Sequence, residues 1–242
     1  YKPDSPYLKY YEYIKKHGYS RHLYEFKDEY TNMPVNVQKD EKKGLYYVQQ
    51  EKKRLYFRKS TPPKKIQKYY RALSMEQDKR SPHHYFDSVK DVTGKVFVDI
   101  GCAEGYSSLE IVEEAKHIYL FEQDEQWLEA IRATFEPWQD KVTIIQKYVS
   151  DHNSSREQTL DDFFNNQTDE HLFLKMDIEG AERHALTGCK NLFQNCQKLD
   201  FAICTYHLRD DEEVISTFLN KHNCAYINQK GFFRHRIRSV VM

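Results

Sequence analysis

Two short runs of the sequence, KMDIEGAE and CTYH, hold side chains that can bind and move protons. On an extended strand Lys175 and Asp177 point to the same side, and Glu179 follows them closely. His207 closes the second run, and its ordinary pKa near neutrality makes it our first candidate for a general base. We therefore predict a catalytic cluster of Lys175, Asp177, Glu179 and His207.

Two other interpretations of this cluster stay open. In the first, Asp177, Glu179 and His207 bind a divalent metal ion, Mg²⁺ or Mn²⁺, which lowers the pKa of a bound hydroxyl. In the second, which is purely structural, Lys175 and Asp177 form a buried ion pair, the glutamates cap a helix and the histidine lies on the surface. Loss of activity on chelation, restored by the metal, would favour the first.

A cofactor-binding turn is indicated by the run VDIGCAEGYSS, which starts as an apolar strand and ends as a helix. Small residues at Gly101, Ala103 and Gly105 let the backbone turn tightly and let a ligand approach the main chain. Glu122 ends the next apolar run, where a carboxylate can accept the hydroxyl protons of an adenosine ribose. The pattern predicts an adenosine-containing cofactor.

The charges around this turn separate two classes of cofactor. A nicotinamide dinucleotide needs its pyrophosphate at the helix N-terminus and a third glycine, but that third position is Tyr106. Asp99 and Glu104 flank the turn with negative charge, which repels a pyrophosphate and suits the ammonium and sulfonium groups of S-adenosylmethionine. We therefore expect S-adenosylmethionine.

The elements that position these residues form an α/β pattern after Val89, in which short apolar runs alternate with longer helical patterns. Strands are predicted at 96–100, 117–122, 142–148, 171–177 and 199–205. Helices are predicted near 106–115, 124–136, 155–165, 179–189 and 210–222, with a last strand pair after Cys224. The fold class is thus a Rossmann-like, doubly wound, mostly parallel sheet with an antiparallel terminal strand. Its crevice lies at the carboxyl ends of the strands, where the candidate residues fall.

The formal net charge of zero hides two dissimilar parts. Residues 1–85 hold 20 Lys and Arg against 10 Asp and Glu, while the rest holds 17 against 27, and 14 of the 19 tyrosines lie in the first part. We place the boundary near Tyr85, with an N-terminal α+β appendage at 1–85 and a cofactor-binding domain at 86–242. In the appendage we predict the following elements: a helix at Tyr7–His17, a hairpin of Leu45–Val48 with Leu55–Phe57, and a helix at Ile66–Leu73.

The basic, tyrosine-rich appendage allows two kinds of partner. Positive charge with stackable rings is how single-stranded nucleic acid is held. The alternative, which we favour, is that the rings pack on the acidic part while the lysines face water, so that the appendage serves as a substrate lid or a dimerisation element. The paired His83 and His84 before the first strand either reach the ligands or belong to a linker.

Several classes of protein are excluded or disfavoured. The longest mostly apolar stretches are far shorter than the roughly 20 residues that a membrane-spanning helix needs. Five cysteines, an odd number without metal-type spacing, indicate reduced thiols and a cytoplasmic protein. The sequence opens on Tyr1 without a leader pattern, so we expect any targeting signal to be missing from it.

In order and spacing, the runs VDIGCAEGYSS, YLFEQDEQW, TLDDFF, LKMDIEGAE and ICTYH resemble the FkbM family of S-adenosylmethionine-dependent methyltransferases over about residues 81–230. The resemblance implies a class I methyltransferase fold and, for most members, O-methylation of a hydroxyl on a sugar or small natural product. Cys102 and Ala103 depart from the commoner Gly-Ala-Asn version of the turn. The alternative function is an RNA-binding methyltransferase, or a non-catalytic nucleic-acid-binding protein.

The resemblance also implies which residues contact the cofactor. Gly101–Gly105 would pass beneath its methionine part, Glu122 would hold the ribose, and Gln123 and Asp124 would border the adenine. The full set expected at the cofactor is Asp99, Gly101, Cys102, Ala103, Glu104, Gly105, Tyr106, Ser107, Glu122, Gln123, Tyr148, Val149, Ser150 and Asp177.

Overall fold

The N-terminal part of the chain combines helices with a small antiparallel sheet. The computed structural model describes residues 8–18, 23–165 and 168–229. The first elements are α1 (Leu8–His17), α2 (Lys27–Thr31), β1 (Val37–Asp40), β2 (Leu45–Gln50), β3 (Lys53–Tyr56) and α3 (Pro63–Glu76). β2 pairs with both β1 and β3 in antiparallel fashion, so the predicted hairpin is confirmed. α3 begins at a proline, which has no N–H to lose in the first turn, and it contains the predicted helix.

The second part is a parallel sheet flanked by helices. Its elements are β4 (Val96–Ile100), α4 (Tyr106–Ile111), β5 (His117–Phe121), α5 (Glu125–Phe135), β6 (Val142–Ile145), β7 (Tyr148–Val149), β8 (Glu157–Gln158), α6 (Leu160–Phe163), β9 (Leu172–Met176), α7 (Glu182–Thr187), α8 (Lys190–Asn195), β10 (Leu199–Ile203) and α9 (Asp211–Lys221). The five-stranded sheet has the order β10-β9-β4-β5-β6, and β7 and β8 form a separate pair. All four pairings in the large sheet are parallel. The α/β class is confirmed.

The strand order creates the crevice that positions the site. From β4 the chain moves outward to β5 and β6, and it then returns to the other side of β4 as β9 and β10. The point between β4 and β9 is where crossovers diverge, and this is where ligands bind in open α/β sheets. Every residue of β4 and β9 is buried, as expected for central strands covered on both faces.

The structure differs from the predicted elements in several places. The helix predicted at 155–165 is confined to α6, because 157–158 pair with β7 instead. The helix predicted from 179 begins only at Glu182, since Glu179 and Gly180 have φ values of 57° and 104°. β1, α2 and α8 were not predicted, and the strand predicted at 142–148 ends at Ile145. Residues 224–229 contain no strand, and the remainder of the predicted terminal strand pair lies outside the described residues.

One hydrophobic cluster joins the two parts. It contains Leu55 and Ile66 from the first part and Leu109, Ile131 and Phe135 from the second, all at most 2% exposed. The backbone N–H of Tyr56 in β3 also donates to the hydroxyl of Thr134 in α5 at 3.0 Å. Packing of this kind fixes α3 beside the carboxyl ends of the parallel strands.

All five cysteines are free thiols, at 102, 189, 196, 204 and 224. Within residues 8–18, 23–165 and 168–229, the helices are too short or too polar to cross a membrane.

Candidate active site

A cavity of about 880 Å³ opens at the carboxyl ends of β4, β5 and β9 and is closed on its far side by α3. The four predicted catalytic residues line it, and so do all the predicted cofactor residues except Gly105. The lining residues from the predicted set are Asp99, Gly101, Cys102, Ala103, Glu104, Tyr106, Ser107, Glu122, Gln123, Tyr148, Val149, Ser150, Lys175, Asp177, Glu179 and His207.

The two glycines of the β4–α4 turn are required by packing within the protein. Gly101 has a φ of 77°, and a Cβ there would lie 2.3 Å from the carbonyl oxygen of Asp177. Gly105 has a φ of 80°, and a Cβ there would lie 2.7 Å from the ring of Phe135. Both conformations favour glycine. From sequence these positions are assigned to close approach of a ligand, whereas their missing side chains make room for the neighbouring strand and for α5.

A buried ion pair joins the two central strands. Asp99 and Lys175 are register partners, and the Lys175 ammonium lies 2.8 Å from Asp99 Oδ1 and donates to the Gly101 carbonyl at 2.7 Å. Ser108 donates to the other oxygen of Asp99 at 2.6 Å. Burial disfavours the charged lysine, but the Asp99 and Asp177 carboxylates outweigh that effect and raise the pKa of Lys175. Lys175 therefore remains a cation that holds the turn in place.

Glu122 orders the backbone at the end of β5. One carboxylate oxygen accepts from the Ala103 N–H at 3.0 Å and the other from the Asp124 N–H at 2.8 Å. Burial is the main reason that the pKa of Glu122 is raised. Each oxygen keeps a further lone pair, so the group can still accept from a ribose. Beside it, Gln123 Oε1 is buried without a hydrogen-bond partner among the described residues, so it can accept a hydrogen bond from a ligand at this end of the cavity.

Glu104 lies between the cofactor turn and the appendage. It is 3% exposed and accepts a hydrogen bond from Tyr69 of α3 at 3.0 Å. Burial raises the pKa of Glu104 to about 7, although Tyr69 and Lys175 act in the opposite direction. Tyr69 stacks on Trp127, and the Arg58 guanidinium lies 3.9 Å from the centroid of the Trp127 ring. The appendage therefore supplies part of the cavity wall.

Asp177 is surrounded by groups that stabilise its charge. Tyr85 donates to Asp177 Oδ2 at 2.7 Å, and His83 Nε2 lies 3.8 Å from the same oxygen while hydrogen-bonding to Tyr206. Burial alone would raise the pKa of Asp177, but Lys175 and the histidines lower it overall. Asp177 is thus a carboxylate at the tip of β9 in the cavity.

His207 lies between two carboxylates. Its Nδ1 is 2.8 Å from Glu182 Oε1, and its Nε2 is 3.3 Å from Asp177 Oδ1. The side chain is only 3% exposed, so it is not the surface histidine of the structural alternative. Burial disfavours the imidazolium, yet Glu182 and Asp177 raise the pKa of His207 above its usual value. The imidazole is therefore well placed to take up a proton.

The predicted metal ligands Asp177, Glu179 and His207 do not come together as one group. Among the described residues, two groups bring three possible ligand atoms within 4.8 Å of one another: His83, Asp177 and Cys204, and Asp177, Glu182 and His207. Glu179 belongs to neither group and is exposed, because its left-handed backbone turns it away from the strand direction. Of the predicted cluster, the structure brings Lys175, Asp177 and His207 together.

Several cavity residues could not be recognised from sequence. Tyr69, Leu73 and Glu76 come from α3, and Tyr85 and Tyr206 contact Asp177 or its partners. For Tyr69 and Tyr85 the signal was the unexplained tyrosine richness of residues 1–85, which gives no position, and Tyr206 stands beside His207 in the CTYH run. Of the paired histidines, His83 lines the cavity, whereas His84 bonds to the Ser81 carbonyl and to Asp87.

Comparisons with known proteins were made at the level of structure and of sequence. The fold is similar to precorrin-6y C5,15-methyltransferase from Geobacter metallireducens (16% identity, 55% of this chain and 67% of that chain, TM-score 0.37). It is also similar to a putative RNA methyltransferase from Pyrococcus horikoshii (17% identity, 55% of this chain and 62% of that chain, TM-score 0.38). A third similar structure is an rRNA methylase from Streptococcus thermophilus (12% identity, 55% of this chain and 74% of that chain, TM-score 0.37). The chain thus spans about two thirds of the length of these proteins, and at such scores their acceptors have no bearing on it.

No curated protein sequence matches the chain. The family model of the methyltransferase FkbM domain, in contrast, matches residues 11–232, which is nearly the whole chain. The match extends well beyond the sheet into the appendage. The parallel sheet, Glu122 at the end of β5 and the cavity between β4 and β9 agree with this match. The chain belongs to the FkbM family of S-adenosylmethionine-dependent methyltransferases.

Proposed function

We propose that this methyltransferase transfers the methyl group to a hydroxyl of an uncharged sugar or small natural product, with His207 as general base. The observation that carries the proposal is the position of His207, whose Nε2 lies 3.3 Å from Asp177 at the tip of β9, in the same cavity as the cofactor turn. A hydroxyl is a weak nucleophile until its proton is removed, so a base at this point serves O-methylation directly.

The protein groups would act in sequence on the acceptor. An acceptor oxygen within about 3 Å of both His207 Nε2 and Asp177 would be oriented by the carboxylate and would pass its proton to the imidazole. S-adenosylmethionine, when bound, supplies an electrophilic methyl group. Asp177 and Glu182 stabilise the imidazolium that results, and the proton later leaves to water. Lys175, paired with Asp99, keeps the turn and the strand tip in register.

The charge of the cavity supports an acceptor without phosphate groups. Nine Asp and Glu side chains line the cavity, against three Lys and Arg and four His side chains, and two of the three Lys and Arg side chains are paired with Asp99 and Asp124. A polyanion would be repelled by such a wall, whereas a neutral polyol would not. Tyr69, Tyr85 and Tyr206 offer rings and hydroxyls that suit a sugar face.

An RNA acceptor stays as the alternative, because Lys64, Lys65 and Lys68 are exposed on α3 at the outer side of the cavity wall. The dependence on salt concentration distinguishes an RNA acceptor from an uncharged sugar. Phosphate contacts make RNA affinity fall steeply as salt increases, whereas turnover of an uncharged sugar changes little.

The test is a screen with isotope-labelled S-adenosylmethionine across sugars, nucleotide sugars, lipids and RNA, read by mass spectrometry. We expect product from an uncharged hydroxyl acceptor, and a loss on the order of 10²-fold in turnover for His207→Ala. His117→Ala is the matched control, because His117 begins β5 at the opposite end of the sheet and bonds to Thr143. Normal turnover of His207→Ala would eliminate the base role, and activity lost on chelation and restored by Mg²⁺ or Mn²⁺ would favour a metal.

The appendage is proposed to bind the acceptor, since Tyr69, Leu73 and Glu76 of α3 line the cavity. A homodimer and a cytoplasmic location stay predictions. Light scattering of the purified chain tests the first, and fractionation of the source cells tests the second.

A further inference from the structure

Glu182 is a fully buried carboxylate to which the proposed reaction so far gives only the stabilisation of the imidazolium. It is the first residue of α7 and 0% exposed. Oε1 accepts from the Ile178 N–H at 2.9 Å, and Oε2 accepts from the Gly180 N–H at 3.0 Å. Oε1 also lies 2.8 Å from His207 Nδ1. A buried carboxylate with this many donors is held in a single orientation.

The contact fixes how the imidazole carries its proton. A carboxylate faces each ring nitrogen, and the contact of Nδ1 with Glu182, at 2.8 Å, is shorter than that of Nε2 with Asp177, at 3.3 Å, so the single N–H of the neutral ring is assigned to Nδ1. In neutral His207 the lone pair then belongs to Nε2, which is the nitrogen that faces Asp177 and the cavity. The alternative tautomer would put the lone pair of Nδ1 against the closer and fully buried carboxylate, Glu182, and would leave the cavity side without a base.

We propose that Glu182 is the positioning residue of the active site, which holds His207 in the Nδ1–H tautomer and aims Nε2 at the acceptor hydroxyl. The inference rests on the proposed role of His207 as base. In the reaction, the acceptor O–H bond breaks, its proton moves to Nε2, and the acceptor oxygen bonds to the methyl group from the cofactor. The cofactor leaves as the neutral sulfide, and Glu182 stays ionised while it stabilises the imidazolium.

The charged and titratable groups around His207 support this division of roles. Glu182 faces Nδ1 from α7, Asp177 faces Nε2 from the end of β9, and Glu179 contributes from the loop between them. The Tyr206 ring packs against the imidazole, with centroids 4.5 Å apart. The Glu182 carboxylate lies 2.8 Å from Nδ1, the nitrogen on the side away from Asp177.

Glu182 also ties the loop between β9 and α7 through Ile178 and Gly180, so a purely structural role is the competing explanation. The two explanations predict different effects of a Glu182 substitution once His207 has been removed. A residue that acts through His207 has nothing left to position in that background, whereas a loop support continues to matter.

The first measurement uses the unaltered protein. Nitrogen-15 NMR of the histidine rings, with His207 assigned from the spectrum of His207→Asn, reports which ring nitrogen carries the proton. We expect the Nδ1–H tautomer for neutral His207, and the Nε2–H tautomer would overturn the proposal. This measurement needs no turnover, so it stands even if no hydroxyl acceptor is found, which would count against the proposed function alone.

The second measurement is a double-mutant cycle with Glu182→Gln and His207→Asn, assayed at saturating acceptor and cofactor. We expect Glu182→Gln to lower kcat on the order of 10²-fold with little change in KM, as for loss of a base. In the His207→Asn background it should add no further loss. An equal loss in both backgrounds would overturn the proposal in favour of loop support. Glu129→Gln, an exposed glutamate on α5 outside the cavity, is the matched control and should retain full activity.

If Glu182→Gln fails to fold, the tautomer measurement decides alone.

Discussion

The turn between β4 and α4 should tolerate a methyl group poorly at Gly101. The structure allows the loss of folding free energy to be divided into backbone strain, unfolded-chain entropy and overpacking. Gly101→Ala places a Cβ 2.3 Å from the Asp177 carbonyl oxygen and 2.7 Å from Ile178 Cγ2, in a residue with a φ of 77°. The left-handed conformation costs about 1–2 kcal/mol for alanine. The reduced entropy of the unfolded chain offsets about 0.4–1 kcal/mol of that. Overpacking against the neighbouring strand adds about 1–3 kcal/mol.

Two other glycines separate these contributions. Gly94 has a φ of 72° with nothing within 4 Å of the added Cβ, so Gly94→Ala measures the backbone strain, less the unfolded-chain entropy, without a steric clash. Gly188 has a φ of −85°, but its Cβ would lie 2.0 Å from the Ser150 carbonyl oxygen, so Gly188→Ala measures the steric clash, less the unfolded-chain entropy, without left-handed strain.

We expect Gly94→Ala to lower the free energy of unfolding by about 1 kcal/mol and Gly101→Ala by about 2–4 kcal/mol. For a chain of this length each kcal/mol corresponds to about 2–4 °C in Tm. The expected losses are therefore a few degrees for Gly94→Ala and about 5–15 °C for Gly101→Ala. Differential scanning calorimetry is the assay. Equal melting temperatures for these two variants would refute the claim that the Asp177 carbonyl occupies the space beside Gly101.

Three further predictions rest on single contacts. Lys175→Met leaves the buried Asp99 carboxylate without its cation, so chemical denaturation should show a loss of about 3–5 kcal/mol. Burial raises the pKa of Glu104 from 4.5 to about 7, which corresponds to about 3 kcal/mol of stability that is present below pH 4.5 and lost as the pH rises through 7. Glu104→Gln should therefore flatten the dependence of Tm on pH between about 4.5 and 7, and an unchanged slope would contradict the assignment. His83→Ala should weaken acceptor or cofactor binding in titration calorimetry, whereas His84→Ala should not, because only His83 lines the cavity; equal effects would argue against this placement.

Much of the sheet could be predicted because its strands have a clear sequence pattern. Continuous apolar runs such as Val96–Ile100 identify a strand buried on both faces without any information about its neighbours. In a parallel sheet the carboxyl ends of the strands share one edge. The proximity of Lys175, Asp177 and His207 could therefore be predicted from the sequence. Local pattern and a general rule of topology were sufficient for that much.

The rest depends on contacts between distant parts of the chain. A glutamate at the start of a helix has the pattern of a cap, and nothing in its spacing indicates that Glu182 faces His207, 25 residues later. The hydrogen bond between Tyr85 and Asp177 joins residues 92 positions apart and likewise leaves no periodic signal. Glu179 was expected on a regular helix, but its positive φ places it in the loop before α7.

The hydrophobic cluster that joins β3 and α3 to α4 and α5 has a consequence for protein engineering. Helix α3, which lines the cavity, cannot be exchanged between relatives by itself, because Leu55 and Ile66 share a hydrophobic cluster with Leu109 and Phe135. A chimera joined near residue 85 would bring two halves of unrelated shape against each other. Selectivity grafts in this protein will therefore have to carry the matching faces of α4 and α5 with them.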